Sequence, residues 1–181
     1  QKMEKFGVEG TIKTCAALFR VIRRGGRYGM ANGYFSKMLT EGSEPTRHTC
    51  NLMIWGFFLA SKVESAVRFF EEMKSGEISP DVVAYSTMVN GYCRVKNMEE
   101  AEKYFVEMKG RHLEPSVITY TTLIKGFLSA GGVANALRSL AEMKKFGIKP
   151  HAITYSTLFP GLCDAHKMSA PVKILTQMAA T

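Results

Sequence analysis

The sequence predicts an all-α fold, an α-solenoid wound as a right-handed superhelix of 35-residue helix-turn-helix repeats. Three observations carry that reading. Met3, Met38, Met73, Met108, Met143 and Met178 follow one another at steps of 35 residues, and Pro45, Pro80, Pro115 and Pro150 keep the same step. Between these markers apolar residues recur at i, i+3, i+4 and i+7, the spacing of one helix face. No segment alternates with the period of two that a strand requires. A repeat of this length marks stacked hairpins. One hairpin alone leaves apolar surface uncovered, so each must stack on its neighbour.

The step divides the chain into repeats 12–46, 47–81, 82–116 and 117–151, with 1–11 ending a preceding repeat and 152–181 a truncated one. A chain that starts and stops inside repeats is expected to be a piece of a longer protein. In 82–116 the first helix presents Tyr85, Met88, Val89, Tyr92 and Cys93 as one stripe, and the second presents Met98, Ala101, Phe105 and Met108. Lys96-Asn97 forms the turn between them. In 117–151 the stripes are Tyr120, Leu123, Ile124, Phe127 and Leu128, then Val133, Ala136, Leu140 and Met143. Ala31, Ala66, Ala101 and Ala136 share one register, where a small side chain lets the two helices approach closely. Gly56, Gly91, Gly126 and Gly161 share another. Gly42-x-x-Pro45 and Gly147-x-x-Pro150 end repeats, the glycine capping a helix that the proline cannot continue. Pro160 falls inside a first helix, where it is expected to kink it at a cost of about 3 kcal/mol. Pro171 replaces the register alanine near the start of a second helix, a place that tolerates proline.

Composition narrows the function. At 46% hydrophobic and 22% charged, the 181 residues are those of a folded domain, and no apolar run is long enough for a membrane span. Lys+Arg 24 against Asp+Glu 16 leaves a net charge of +8, which suits a polyanionic partner. Cys15, Cys50, Cys93 and Cys163 form no Cys-x-x-Cys pair. The gaps of 35 residues from Cys15 to Cys50 and of 70 from Cys93 to Cys163 place the members of each pair at equivalent helical positions, as buried, reduced thiols. His48, His112, His151 and His166 lack metal-ligand spacing, and neither a P-loop nor a dinucleotide-binding glycine pattern occurs. A solenoid has a long concave face rather than the enclosed pocket of a typical enzyme. The expected function is therefore binding of an extended partner. No catalysis, cofactor, metal, membrane or small-molecule substrate is expected.

The stretches VVAYSTMVNGYCRVKNMEEAEKYFVEMKGRHLEPS and VITYTTLIKGFLSAGGVANALRSLAEMKKFGIKPH resemble pentatricopeptide repeats, and the resemblance covers essentially the whole chain. Uniform 35-residue units resemble the P class of that family, without a deaminase-like His-x-Glu and Cys-x-x-Cys set. The resemblance implies single-stranded RNA bound along the concave face, about one base per repeat. In the family the fifth and last residues of a repeat contact the base edge, and the second packs on its face. Carried onto this chain, the edge pairs are Ala16 with Thr46, Asn51 with Asp81, Ser86 with Ser116, and Thr121 with His151. Ser156 begins a further pair. The packing positions are Lys13, His48, Val83, Ile118 and Ile153.

Asn51 with Asp81 resembles the family pair for uracil. Its amide can donate and accept, and the carboxylate fixes its orientation. The other pairs depart from the family pattern: Ala16 carries no polar group, Ser86 with Ser116 is ambiguous, and His151 is uncommon at the last position. Lys13 and His48 stand where an aliphatic residue is usual. A second role competes at Thr46, Asp81 and Ser116, each following a proline where an oxygen side chain caps the next helix. Thr121 and Ser156 have the alternative of bonding to a carbonyl one turn back.

Arg20, Arg23, Arg24 and Arg27 cluster in the first full repeat. Arg24 and Arg94 stand near the end of a first helix, where family members often contact phosphate. Glu71, Glu72, Glu99, Glu100 and Glu102 mark a solvated second-helix face. FVEMKG with EPS, YTTLIKGF and TYSTLFPGLCDAHKM resemble pentatricopeptide proteins of the plant mitochondrial ribosome's large subunit. That resemblance implies a mitochondrial protein contacting ribosomal RNA and ribosomal proteins. The alternative is a factor that binds one organellar transcript, in mitochondrion or chloroplast, and guides its processing, stability or translation.

Overall fold

The computed structural model describes residues 46–76 and 78–164, with side chains to residue 160. Every regular element in them is an α-helix of 13 residues. In order these are α1 (Arg47–Leu59), α2 (Val63–Ser75), α3 (Val82–Arg94), α4 (Met98–Gly110), α5 (Val117–Ser129), α6 (Val133–Lys145) and α7 (Ala152–Asp164). First helices start at 47, 82, 117 and 152 and second helices at 63, 98 and 133, so both series keep the 35-residue step. Two 13-residue helices, a three-residue turn and a six-residue connection fill it.

One backbone device closes five of these helices. Ser61, Lys96 and Gly131 take φ of 58°, 60° and 76° between the helices of a hairpin. His112 and Gly147 take 58° and 72° between hairpins. The residue after each donates its N–H back across the helix end: Lys62 N to Phe57 O, Asn97 N to Tyr92 O, Leu113 N to Met108 O, Gly132 N to Phe127 O and Ile148 N to Met143 O, at 2.7–3.1 Å. This arrangement satisfies carbonyls that would otherwise be orphaned. Gly147 caps as its motif predicts, whereas His112 holds the same left-handed place without glycine's freedom.

The chain divides into two compact units, Gln1–Ala84 and Tyr85–Thr181. In the first, α1 packs along α2, with the rings of Phe57 and Phe69 6.0 Å apart and Cys50, Met53, Ile54, Phe70 and Met73 buried. In the second, α5 packs on α6 within its hairpin, on α4 before it and on α7 after it. Hairpins covered on both sides by neighbours make an all-α solenoid. The predicted stripes form its core, apart from Met98 and Leu128, which are half-buried. Ala66, Ala101 and Ala136 are fully buried. α7 continues through Pro160 to Asp164, and the proline is exposed. Having no N–H, it leaves the Ser156 carbonyl without its helical donor. Pro171, Cys15 and the Arg20–Arg27 cluster lie outside the described residues.

The recurring first-helix glycine acquires a reason at Gly126. A Cβ there would fall 2.6 Å from Cys93 Sγ, 2.9 Å from Cys93 Cβ and 2.9 Å from Met98 Sδ. Gly126→Ala is therefore expected to destabilise the fold by about 1 kcal/mol, overpacking outweighing the better helix propensity of alanine. A urea titration measures it, and a rise in the midpoint would contradict the close approach.

Burial pushes the thiol of Cys93 up from 9.0 to about 12. Burial, followed by the charge of Glu142, raises the Tyr120 phenol too. Both folded values lie above the unfolded ones, so their contribution to stability is intact below pH 9 and is lost as pH climbs towards 12. The melting temperature is expected to hold to pH 8 and to fall steadily above pH 9. In the native chain Cys50 and Cys93, free and buried, should resist alkylation at pH 8 until denaturant is added.

Candidate nucleic-acid interface

The last residue of a repeat is also the residue that starts the next helix. Thr46 Oγ1 accepts from Thr49 N at 3.3 Å, and Ser116 Oγ accepts from Thr119 N at 3.3 Å within a reciprocal capping box. Asp81 Oδ1 accepts from Ala84 N at 2.9 Å. All three cap, as their position after proline predicts. Asp81 does more: the same oxygen accepts from Asn51 Nδ2 at 3.4 Å, so the fifth and last residues of repeat 47–81 are in contact. This bond sets which end of the amide is the donor. Asn51 is 7% exposed, and its Oδ1 accepts no hydrogen bond from the described residues. A buried amide oxygen left so costs about 1–3 kcal/mol.

The other fifth residues find a different partner. Ser86 Oγ lies 2.8 Å from Thr119 Oγ1, which in turn lies 3.1 Å from Ser116 Oγ. The expected pair of Ser86 and Ser116 is thus bridged by a third hydroxyl. Thr121 Oγ1 lies 2.8 Å from Thr154 Oγ1, so its hydroxyl partner is Thr154 rather than His151 or a carbonyl one turn back. Ser156 does bond back, donating to Ile153 O at 3.0 Å. His151 is exposed at the head of α7, and its carbonyl accepts from Thr154 N at 2.9 Å.

Sequence reasoning passed over the third position of the repeat. Thr49, Ala84, Thr119 and Thr154 stand there at steps of 35, and the step was the available signal. Thr119 is 1% exposed and Thr154 0%. Where the position holds Ala84, no hydroxyl is offered to Asn51, and the amide goes to Asp81 instead.

The second position behaves oppositely. Val83, Ile118 and Ile153 are 56%, 75% and 70% exposed, and His48 is exposed as well. Large aliphatic side chains are set in water at the same place in successive repeats, one helical turn before the fifth residue. Arg94, the last residue of α3, is exposed and makes no ion pair among the described residues. Lys13, Ala16 and Arg24 lie outside the described residues.

Other chemistry is sparse. A cleft of about 420 Å³ beside Lys109, Tyr120 and Phe146 holds a cation already paired, Lys109 Nζ lying 2.6 Å from Glu142 Oε1. Among the described residues no group of three or more His, Cys, Asp or Glu side chains converges on a metal site. None of their helices is long and apolar enough to cross a membrane.

Three overlapping stretches, 45–94, 80–129 and 115–164, match the PPR repeat family, and residues 1–61 match the pentatricopeptide repeat domain. The chain belongs to the PPR repeat family. This PPR chain is similar over 99% of its length to the crystal structure of the pentatricopeptide repeat protein PPR10 from maize, at 27% identity and a TM-score of 0.76. It is similar over the same share to PPR10 in complex with an 18-nt psaJ RNA element, at 25% identity and a TM-score of 0.88. In both cases it spans 26% of PPR10, about a quarter of that protein's length. The PPR domain of Arabidopsis thaliana protein-only RNase P 1, in complex with tRNA, is 16% identical with a TM-score of 0.71. That match covers 90% of this chain and 86% of the domain, and the likeness is one of fold. No curated protein matches the chain significantly.

Proposed function

We propose that this PPR chain binds single-stranded RNA without catalysis, about one nucleotide per repeat, on the exposed side of its first helices. The observation that carries the reading is the exposure of Val83, Ile118 and Ile153, each one turn before a hydrogen-bonding side chain. An aliphatic surface suits the flat face of a base, and the polar neighbour suits its edge. Asn51 with Asp81 fits uracil, whose N3–H donor and carbonyl acceptors complement an amide that both accepts and donates. Ser86, Ser116, Thr121, His151 and Ser156 meet other base edges, with His48 packing on a base face. Arg94, and Arg24 in the earlier repeat, contact phosphate.

Binding of a randomised single-stranded RNA pool, with duplex RNA as competitor, tests this. Preference for the single strand is expected. Ile118→Asp should abolish most of it with little change in melting, because the side chain is already in water. No retention of the pool at low salt would end the proposal. Arg94→Ala is expected to leave the melting temperature in place and lower the log–log salt slope by about 0.7, one phosphate contact on a single strand.

Two finer assignments fit this reading. A component of the plant mitochondrial large ribosomal subunit, contacting ribosomal RNA and proteins, is supported by the scarcity of amide–carboxylate pairs. Asn51 with Asp81 is the one such edge pair among the described residues, and a permanently docked protein can rely on shape and phosphate. A factor for one transcript, in mitochondrion or chloroplast, is supported by the Asn51–Asp81 contact itself. Salt-washed ribosomes separate them: a chain that stays with the large subunit after nuclease treatment is a ribosomal component, and a wholly ribosome-free chain is not.

A further inference from the structure

Thr154 lies at the third position of its repeat, 33 residues from Thr121, and is 0% exposed. Its hydroxyl has one hydrogen-bond partner among the described residues, Thr121 Oγ1 at 2.8 Å. A buried O–H seeks an acceptor, and here only Thr121 supplies one. The contact itself allows either direction, and burial assigns Thr154 as the donor and Thr121 as the acceptor. The hydrogen of Thr121 stays unspent, on a half-buried side chain one turn beyond the exposed Ile118. Ser86 and Thr119 show what a second acceptor does. Thr119 Oγ1 has both Ser86 Oγ at 2.8 Å and Ser116 Oγ at 3.1 Å within reach, so its hydrogen can go either way and Ser86 is held in place without a fixed polarity.

We infer that Thr154 is a positioning residue for base recognition, a buried hydroxyl that occupies one lone pair of Thr121 of the preceding repeat, leaves the Thr121 hydrogen for the base and so favours a base edge offering an acceptor. The inference rests on the RNA-binding reading and deepens it. A repeat's preference then depends on the third residue of the repeat that follows, through a contact made only when the two stack. Thr154 touches no base itself.

Selection from a randomised single-stranded RNA pool tests it with the whole chain, comparing wild type, Thr154→Val and Thr154→Ser by base frequency at each nucleotide. Thr154→Val should flatten the preference at one nucleotide by about fivefold, the worth of one hydrogen bond, and leave its neighbours unchanged. Thr154→Ser should restore it. In a Thr121→Val background, where the acceptor is gone, Thr154→Val should change nothing further in the base profile. A purely structural role would instead weaken binding to all four bases alike. That result overturns the inference, as does a Thr154→Val profile identical to wild type. If Thr154→Val does not fold, Thr121→Val decides: an unaltered profile sinks the inference. A wild-type chain that retains no RNA overturns the RNA-binding reading and the inference with it, an outcome distinct from intact binding with an unmoved profile.

Discussion

Asp81→Ala is expected to lower the unfolding free energy by about 2 kcal/mol and, on the RNA-binding proposal, to remove the uracil preference proposed for its repeat. Two losses combine. The N-terminus of α3 loses the carboxylate that accepts from Ala84 N, worth about 1 kcal/mol. Asn51 Nδ2 loses its acceptor while it remains buried, which costs up to about 1–3 kcal/mol and here sits at the lower end because the bond is 3.4 Å long. A double-mutant cycle separates them: in an Asn51→Ala background the same substitution should cost only the cap, about 1 kcal/mol. Urea titrations of the four proteins measure the coupling. Identical costs in both backgrounds would show that the amide and carboxylate are neighbours without being partners.

Ala101→Phe acts on the fold alone. Ala101 is fully buried near the start of α4, in the register shared with Ala66 and Ala136. A ring there has no room unless the helices part, and overpacking of this kind costs about 1–3 kcal/mol. Chemical denaturation should show the loss, with RNA binding retained at temperatures where the variant is folded. On the proposed phosphate contact, Arg94→Ala is its counterpart, expected to change the salt dependence of RNA binding and not stability. Should both substitutions destabilise equally, the proposed division of each hairpin into a packed face and an RNA-binding face would be wrong.

The hairpins were legible because each of their causes is local or periodic. Tyr85, Met88 and Val89 follow a helical spacing, Ala101 and Ala136 recur where helices meet, and Thr46, Asp81 and Ser116 follow proline as caps do. Exposure at the second position was less accessible. Ile118 and Ile153 are as apolar as the core residue Ile124, and only the helix face on which they stand puts them in water.

What the sequence determined by itself was the repeat, its helices, their ends and the equivalence of positions 35 residues apart, since propensity, spacing and turn chemistry act within one hairpin. The partners of the polar side chains were decided by stacking. Thr121 meets Thr154, and Ser86 meets Thr119, across 33 residues. Asn51 turns to Asp81 where Ala84 has no hydroxyl to give. A hydrogen bond needs two atoms within about 3 Å, and the angle at which one hairpin settles on the next sets that separation.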